Sequence, residues 1–349
     1  MKLLQEVVND QRLLVDVRAP LEYAKGCLPN STNLPILNDS ERARVGTAFR
    51  RDGPEAAVAL GHQLVSGNVR QQRIDLWLQA TTDAARPDHA PPMVMCWRGG
   101  QRSRLAQEWL SAAGSDVARV PGGYKALRNA CLRVLQHTAD DKHWHILGGR
   151  TGVAKTVLIH QLPHSIDLEG RARHRGSAFG GHLDAQPSQA SFENALAYDC
   201  LQHTHRNLVA EDESRTIGRV AIPEHWLTTM RQAPLILLEA SLSQRVSHIY
   251  QEYIAEPLAA GQSPDHLRDH FLAALARISR RLGDVRHAKI ATLLNNAFSQ
   301  QDIDAHAAWI GSLLNEYYDP MYDYQLKKKS ARIVFTGDFA AVRDYLNAL

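Results

Sequence analysis

Short apolar runs alternate with longer amphipathic stretches over residues 1–137. Runs such as LLVDVR (13–18) and MVM (93–95) predict strands, and stretches with apolar residues every three or four positions predict helices. This alternation favours a sheet covered by helices. The other elements predicted here are a helix at 21–26, an extended segment at 33–35, two helices within 41–84, a polar loop at 85–92, a helix at 103–114, a short strand and turn within 118–127, and a helix at 124–137.

A second domain is predicted to follow. The segment HTADDK (137–142) is polar and has no periodicity, so we place the boundary there, with domains at 1–138 and 142–349. The second domain is predicted to contain a strand at 143–149, a glycine-rich turn, a helix at 156–162, strands at 207–213, 234–240 and 332–338, and a long helical region at 243–316. The whole pattern predicts an α/β protein whose second domain carries a helical insertion or extension.

Composition narrows the class of protein. The chain has 349 residues, of which 44% are hydrophobic, enough for two domains with a buried core each. No apolar run reaches the roughly 20 residues of a membrane helix, and acids interrupt the N-terminal apolar run too early for a signal peptide. We therefore expect a cytoplasmic protein that does not bind membranes. The net charge of +3 is only a weak indication of an anionic partner.

Cysteine and histidine spacing argues against a structural metal. The chain has four cysteines, Cys27, Cys96, Cys131 and Cys200, which lie far apart without a CxxC pair. This spacing favours neither a disulfide framework nor a thiolate zinc site, and it leaves room for a single reactive thiol. Histidine pairs such as His143 and His145 are more typical of surfaces or satisfied core positions than of ligands. We predict no metal ligands.

The loop CWRGGQRS follows a predicted strand and precedes a predicted helix. Nearby cations and a helix N-terminus lower the pKa of a thiol, and two glycines let backbone N–H groups turn inward. Cys96 is thus a candidate catalytic nucleophile in a loop that could hold a chalcogen. The alternative is a buried structural cysteine beside an ordinary turn. The candidate loop residues that accompany Cys96 are Trp97, Arg98, Gly99, Gly100, Gln101, Arg102 and Ser103.

The segment ILGGRTGVAKT has the context of a phosphate-binding P-loop, because a strand precedes its glycines and a helix follows. Backbone amides would hold phosphate oxygens, Lys155 would neutralise them, and the Thr156 hydroxyl could bind Mg²⁺. Ala154 stands where the motif has its second glycine, which makes phosphate or diphosphate binding a firmer expectation than fast ATP turnover. The candidate phosphate-binding residues are Gly149, Gly152, Lys155 and Thr156.

Two charged segments supply further candidates. Glu211, Asp212 and Glu213 end a predicted strand, where P-loop proteins keep a carboxylate that orients Mg²⁺ or water, and Glu239 is a competing position. The segment DLEGRARHRGSAFG sets cations among glycines, which suits contact with nucleic-acid or diphosphate phosphates. The alternative for both segments is a solvated loop. The candidate contacts in the second segment are Arg171, Arg173, His174 and Arg175.

The first domain resembles the rhodanese superfamily. The stretch LLVDVRAPLEYAKGCLPNSTNLP matches its opening motif, and CWRGGQRS and PGGYKAL extend the likeness over roughly the first 137 residues. Cys27 stands where many rhodaneses have histidine. The resemblance implies sulfur or selenium transfer through a persulfide-type adduct on Cys96, with Asp16 and Arg18 bracing the fold. The matching positions are Asp16, Arg18, Glu22, Gly26, Pro29, Asn33 and Pro35.

The order of motifs resembles one family more closely. A rhodanese-like domain, a P-loop NTPase-like α/β domain with a helical C-terminal region, and the segments DLEGRARHRGSAFG, EDESRTIG and NEYYDPMY are similar to tRNA 2-selenouridine synthases over nearly the whole chain. The resemblance implies a transferase that replaces sulfur by selenium on wobble 2-thiouridine of tRNA, through a geranylated intermediate. Its substrates would be selenophosphate and geranyl diphosphate, with no tightly bound cofactor and with Mg²⁺ and the oligomeric state left open.

Three other hypotheses account for parts of the sequence. A rhodanese-type sulfurtransferase with an accessory nucleotide-binding domain explains Cys96 and leaves the second domain without a task. A kinase or ATPase with a rhodanese regulator explains the P-loop and makes Cys96 accessory. A tRNA-binding protein without catalysis leaves Cys96 inert.

Overall fold

The computed structural model describes residues 1–84, 90–181, 184–300 and 303–349. Residues 85–89 of the predicted polar loop lie outside this part of the chain. The strands of the described residues are β1 Leu14–Asp16, β2 Ser31–Asn33, β3 Met93–Met95, β4 Ala118–Arg119, β5 His143–Gly148, β6 Ser165–Ile166, β7 Asn207–Glu211, β8 Thr216–Ile217, β9 Val220–Ala221, β10 Leu235–Leu238 and β11 Ile333–Gly337.

Helices occupy most of the remaining chain. Their bounds are α1 Lys2–Asn9, α2 Pro20–Ala24, α3 Asp39–Leu64, α4 Gly67–Asp83, α5 Gln101–Ala112, α6 Gly123–Asp141, α7 Lys155–Gln161, α8 Leu168–Ala172, α9 Gln189–Gln202, α10 Glu224–Gln232, α11 Leu242–Tyr250, α12 Glu256–Ala259, α13 Pro264–Leu282, α14 Asp284–Gln300, α15 Ile303–Leu313, α16 Asp319–Lys329 and α17 Phe339–Asn347. Two π-helical segments, Gln251–Ala255 and Leu314–Tyr318, and a 3₁₀ turn, Ser330–Arg332, join some of them.

The described residues form two compact units. One comprises Met1–Thr138 with Pro187–Thr204, and the other comprises Ala139–Gln186 with His205–Leu349. Helix α9 therefore packs with the first unit, although it lies in the second half of the chain. Its Asn194 amide donates to the Cys27 carbonyl at 2.7 Å, a contact that no local pattern predicts.

The first unit is built on a parallel sheet with the strand order β2-β1-β3-β4 in the described residues. Val15 pairs with Thr32 on one side and with Val94 on the other. Every residue of β1 and β3 is buried, as expected for central parallel strands covered by helices on both faces. The Trp77 indole in α4 is fully buried and donates to the Leu34 carbonyl at 2.9 Å, which fixes that helix against the sheet.

Helix α6 is longer than the sequence predicts. The pattern predicts a helix that ends at 137, but α6 continues through Asp141, and the domain boundary placed at 137–142 stays a prediction. The helical spacing of buried positions extends to Thr138 and Ala139, and the Thr138 hydroxyl donates to the Val134 carbonyl at 2.9 Å. The last turn of α6 is therefore amphipathic, although the composition of HTADDK is polar.

The second unit contains a parallel sheet with the order β11-β10-β5-β7-β6 and a small β8-β9 hairpin among the described residues. Successive strands after β5 pass first to one side and then to the other. The carboxyl end of β5 thus lies at the point where the strand order reverses, where open α/β sheets bind ligands.

A helical region lies between the last two strands of this sheet. It runs from α11 to α16 and has its own apolar core, in which Phe271, Phe298 and Trp309 pack with ring centroids about 6 Å apart. The predicted α/β fold class with a helical region is confirmed. None of the helices described is long and apolar enough to cross a membrane.

Candidate functional site

Cys96 lies immediately after β3, at the start of the cysteine loop, residues 96–103. Only 3% of the residue is exposed, and it belongs to the apolar core cluster that includes Val17 and Val94. The Cys96 Sγ lies 3.3 Å from the Ser103 Oγ. The thiol therefore sits between the apolar core and one hydroxyl, much less open than its place beside arginines suggested.

The backbone of the cysteine loop presents unpaired donors. The carbonyls of Cys96 and Trp97 accept from the N–H groups of Tyr124 and Lys125, both at 2.9 Å, so the carbonyls turn toward α6. Within the described residues, none of the backbone N–H groups of residues 97–103 donates to another group of the chain. A run of unpaired amides is a ready anion site.

Close backbone packing keeps this loop in shape. Gly99 and Gly123 both have positive φ, at 65° and 61°. A Cβ on Gly123 would overlap the Cys96 carbonyl oxygen and the Gly99 nitrogen. Glycine at position 123 therefore lets the start of α6 approach the loop from behind.

A buried ion pair between side chains of the first unit packs near this loop. Asp16 and Arg18 make a fully buried ion pair with Nη2 to Oδ2 at 2.6 Å, and Arg18 Nη2 also donates to the Gly26 carbonyl at 2.8 Å. The Arg18 guanidinium stacks over the Tyr124 ring at 3.8 Å from its centroid. Burial raises the pKa of Asp16, and Arg18 opposes that rise. These contacts fit the bracing role that the rhodanese resemblance implies.

The three arginines of the loop region are arranged differently from the ring of cations that the sequence suggested. Arg102 pairs with Glu22, and Arg104 lies 3.6 Å from Glu108. Burial would raise the pKa of Glu22, but the contact with Arg102 outweighs it and holds that pKa below its usual value. Arg98 is exposed. Two of the three charges are therefore already balanced by carboxylates.

The phosphate loop, residues 149–156, joins β5 to α7. In the described chain, the N–H groups of residues 150–152 and 154–156 donate no hydrogen bond to other residues. Ala154 has φ 65° and ψ 38°, the left-handed conformation that glycine adopts freely and alanine does not. The loop thus keeps the backbone shape of a P-loop despite a methyl group where the motif has glycine.

Lys155 and Thr156 face the carboxylates of neighbouring elements. Lys155 Nζ donates to the Gly149 carbonyl at 2.9 Å, and Thr156 Oγ1 donates to Glu169 Oε2 at 3.4 Å. The Glu169 and Glu213 carboxylates converge over Gly176, where a Cβ would lie 2.6 Å from Oε1 of each. Burial and then the Glu169 charge raise the pKa of Glu213 to about 8.

The three acidic residues at the end of β7 have different surroundings. Glu211 is fully buried, its Oε2 accepts from the Leu168 N–H at 3.0 Å, and its Oε1 has no hydrogen-bond partner among the residues that the structure describes. Burial raises its pKa well above the usual value. Asp212 accepts from Lys329 Nζ at 2.7 Å, whereas the competing candidate Glu239 is exposed. Of these three acids, Glu213 is the one that lies beside Glu169 and feels the charge of Lys155.

The cations of the segment after α7 also differ in their surroundings. Arg175 Nε pairs with Glu252 Oε1 at 2.5 Å, and its guanidinium lies 4.5 Å from the Tyr253 ring centroid. Arg173 is exposed in the left-handed C-cap of α8, and Arg171 is exposed on that helix. His174 is half-buried, and burial, followed by the charges of Arg277 and Arg175, lowers its pKa. Arg171 and Arg173 are thus the two arginines of this segment that lie at the surface.

Some residues at the phosphate loop were missed from the sequence. Glu169 lies within the segment chosen for its arginines, and α8 brings it to Thr156. Arg245 is buried, donates to the Thr151 carbonyl at 2.9 Å and pairs with Asp319 at 2.6 Å. The acidic residue in DLEG was visible in the sequence, but the Arg245 contact joins residues 94 positions apart.

The oxygen donors near Lys155 suit a hard cation. Mg²⁺ is usually held by one or two carboxylates together with substrate phosphates, and Thr156 and Glu169 could supply such oxygens. Across the described ranges, no group of three His, Cys, Asp or Glu side chains is arranged to hold a metal by itself.

Comparison with known proteins gives consistent matches along the chain. A family model described as rhodanese-like domain matches residues 1–130, and one described as tRNA 2-selenouridine synthase AAA domain matches residues 142–349. A solved N-terminal domain from Clostridium difficile 630 is 33% identical over 35% of this chain and 91% of its own, with a TM-score of 0.31.

Relatives named tRNA 2-selenouridine synthase match nearly from end to end. The protein from Shewanella frigidimarina (strain NCIMB 400) is 43% identical over 97% of this chain and 95% of its own. That from Cupriavidus necator is 45% identical over 96% and 94%, and that from Pseudomonas fluorescens 42% over 98% and 96%. Because both the domain match and these full-length relatives agree, the chain belongs to the tRNA 2-selenouridine synthase family.

Proposed function

We propose that this protein is a cytoplasmic transferase that replaces the sulfur of wobble 2-thiouridine in tRNA by selenium. Its substrates are selenophosphate and geranyl diphosphate, and a geranylated tRNA is the intermediate. The names of the full-length relatives support selenium modification of tRNA. The observation that carries the proposal is the pair of loops with unpaired amides, one holding a thiol and the other a lysine.

The phosphate loop serves the prenylation step. The thiocarbonyl sulfur of the base attacks C1 of the geranyl group, a C–S bond forms, the C–O bond to diphosphate breaks, and the N3 proton of the base is released to solvent. Negative charge then develops on the departing diphosphate. The unpaired amides of residues 150–152 and the Lys155 ammonium would stabilise that charge, which requires no nucleotide hydrolysis.

The cysteine loop serves the selenium step. Alkylation turns a poor leaving group into a thioether, so one difficult displacement becomes two easier ones. The selenium of selenophosphate attacks C2 of the base, the C2–S bond breaks and geranylthiolate leaves, and water then cleaves the Se–P bond to release phosphate. Selenium stays at the selenide level throughout, so Cys96 delivers it by positioning selenophosphate, whose anion the amides of residues 97–103 hold.

Exposed cations on the second unit would contact the tRNA backbone or the diphosphate. Arg171 and Arg173 are exposed at the surface of the segment, and Arg175 is half-buried and pairs with Glu252. Contacts with phosphates supply sequence-independent affinity that falls as salt rises. Glu169 and Glu213, with Thr156, would place a Mg²⁺ ion if the diphosphate brings one.

The test is a reconstituted reaction followed by mass spectrometry of the wobble nucleoside. The protein is incubated with 2-thiouridine tRNA, selenophosphate and geranyl diphosphate. We expect 2-selenouridine with both small substrates and S-geranyl-2-thiouridine when selenophosphate is left out. Selenation at the same rate without geranyl diphosphate would overturn the prenyl route. Transfer of sulfur from thiosulfate to cyanide with no change in the tRNA would favour the sulfurtransferase hypothesis instead.

A further inference from the structure

An apolar pocket lies in the helical region of the second unit, beside the phosphate loop. We call it the aromatic pocket. Most of its wall consists of aromatic and aliphatic side chains, and its few polar groups are hydroxyls. The pocket is lined by Thr151, Ser177, Phe179, Ile249, Tyr253, Phe271, Trp309, Ile310, Leu313, Leu314 and Tyr318.

The pocket and the phosphate loop share a wall. Thr151 belongs to the phosphate loop and also lines the pocket. Gly152 packs so closely on Ile249 that a Cβ there would lie 2.8 Å from the Ile249 Cδ1. Arg245 fixes this junction, because it donates to the Thr151 carbonyl and pairs with Asp319. An anion held by the loop amides therefore lies next to an apolar space.

Two rare backbone segments line the same pocket. Tyr253 lies in the π-helical segment Gln251–Ala255, and Leu314 and Tyr318 lie in the other, Leu314–Tyr318. Isolated π-helical turns occur mostly as single insertions in α-helices and are frequent at functional sites. Two of them facing one pocket mark it as more than an accidental packing gap.

The free space in the pocket is small. It measures about 30 Å³, which is close to one water molecule's share of liquid volume. A ten-carbon chain can enter only if the lining side chains move apart. The π-helical turns mark the places where the backbone that lines the pocket departs from a regular α-helix.

We propose that the aromatic pocket binds the hydrocarbon chain of a prenyl diphosphate whose diphosphate group lies on the phosphate loop. A nucleobase would need partners for its polar edges, which this wall scarcely offers, whereas a branched alkene chain needs only apolar contact. The inference rests on the proposed function, since it locates the chain of the same substrate. It also assigns chain-length selection to the helical region.

The test uses a variant with a larger side chain in the pocket and compares its binding of geranyl diphosphate and of inorganic diphosphate. In Leu313→Trp, calorimetry of the full chain should show a Kd for geranyl diphosphate raised about tenfold or more, since loss of even one methylene contact in an apolar pocket has effects of this order. The Kd for inorganic diphosphate should change by less than about twofold, because the loop is untouched. Ile303→Trp is the matched control on the exposed start of α15 and should change neither value.

A second variant covers the case in which Leu313→Trp does not fold. Phe179→Leu enlarges the pocket, so the kcat/KM ratio of farnesyl over geranyl diphosphate in tRNA prenylation should rise about tenfold. An unchanged ratio, or a folded Leu313→Trp protein that binds geranyl diphosphate normally, would overturn the pocket assignment. If the unaltered protein fails to prenylate tRNA at all, the proposed function fails, which is a separate result.

Discussion

The cysteine loop and the phosphate loop place the same backbone device at the ends of two different sheets. Each follows a central parallel strand, β3 or β5, and precedes a helix. In each, consecutive backbone N–H groups have no partner in the described chain. The backbone alone therefore makes each loop a candidate anion site.

Side chains make the two sites chemically different. Cys96 lies against an apolar core, and two nearby arginines, Arg102 and Arg104, are paired with glutamates. Lys155 lies at the phosphate loop beside carboxylates with raised pKa values, such as that of Glu213. A buried thiol with unpaired amides suits a small chalcogen anion, whereas a lysine suits the larger charge of a diphosphate. The two loops therefore share a backbone arrangement that suits an anion, and their side chains differ in the anion that they would select.

The largest expected effect is that of replacing Cys96, which should affect the selenium step and spare the prenylation step. Cys96→Ala should lower 2-selenouridine formation about 1,000-fold, because it removes the thiol that positions selenophosphate for attack on the base. Geranylation should remain within about twofold of the unaltered protein, since the phosphate loop is intact. Both products are measured by mass spectrometry of the wobble nucleoside. Cys131→Ala, another buried cysteine in the first unit, is the control, and equal losses in both variants would contradict the account.

The converse change acts at the phosphate loop. Lys155→Ala should slow geranylation about 100-fold, which is typical for loss of one group that stabilises a developing anion. The initial rate with geranyl diphosphate is the measurement. Lys125→Ala, at the start of α6 in the first unit, serves as the control. Prenylation at the normal rate by a folded Lys155→Ala protein would remove the diphosphate role from this loop.

The next effect concerns stability, at the place where the start of α6 packs against the backbone of the cysteine loop. Gly123→Ala should lower the free energy of unfolding by about 3 kcal/mol, because the new Cβ meets backbone atoms and the residue has positive φ. Gly100→Ala has open space around its Cβ and should be nearly neutral. Urea denaturation compares the two. Equal stability of the two variants would mean that the close approach of α6 does not hold the loop.

Much of this arrangement was predictable from the sequence. Local periodicity encodes which faces are buried, so the strands before both loops and the helices after them were found from the pattern alone. Pairings between distant residues were not, because Arg102 meets Glu22 across 80 positions and nothing local marks that choice. The return of α9 to the first unit and the two π-helical segments also depend on tertiary packing.

The acidic side of the phosphate loop should show a pH dependence. The Glu213 pKa, raised to about 8, makes the folded state bind more protons than the unfolded state above the ordinary value of 4.5. The stability from this group is therefore complete only below about pH 4.5 and is lost as the pH rises from there to about 8. Glu213→Gln should raise the Tm relative to the unaltered protein by about 3 °C at pH 8 and hardly at pH 5.

The control for this effect is an exposed glutamate. Glu55→Gln lies on the surface of α3 and should shift the Tm equally at both pH values. Differential scanning calorimetry across the pH range makes the comparison. A Glu213→Gln gain that is the same at pH 5 and pH 8 would mean that this carboxyl titrates normally.

The smallest effect concerns the methyl group in the phosphate loop. Ala154→Gly should stabilise the fold by about 0.5 kcal/mol, because relief of the left-handed strain slightly exceeds the entropy that glycine gains on unfolding. Ala112→Gly, at the end of α5, has ordinary helical geometry and should destabilise instead. Chemical denaturation measures both. A loss of stability in Ala154→Gly would show that the alanine is not strained.

A bypass experiment tests the division of labour between the loops most directly. Geranylated tRNA made by the Cys96→Ala protein is purified and given to the Lys155→Ala protein with selenophosphate and no geranyl diphosphate. The account predicts 2-selenouridine at close to the rate of the unaltered protein on the same tRNA. If the Lys155→Ala protein leaves this tRNA unchanged while the unaltered protein converts it, the two loops do not carry separate steps.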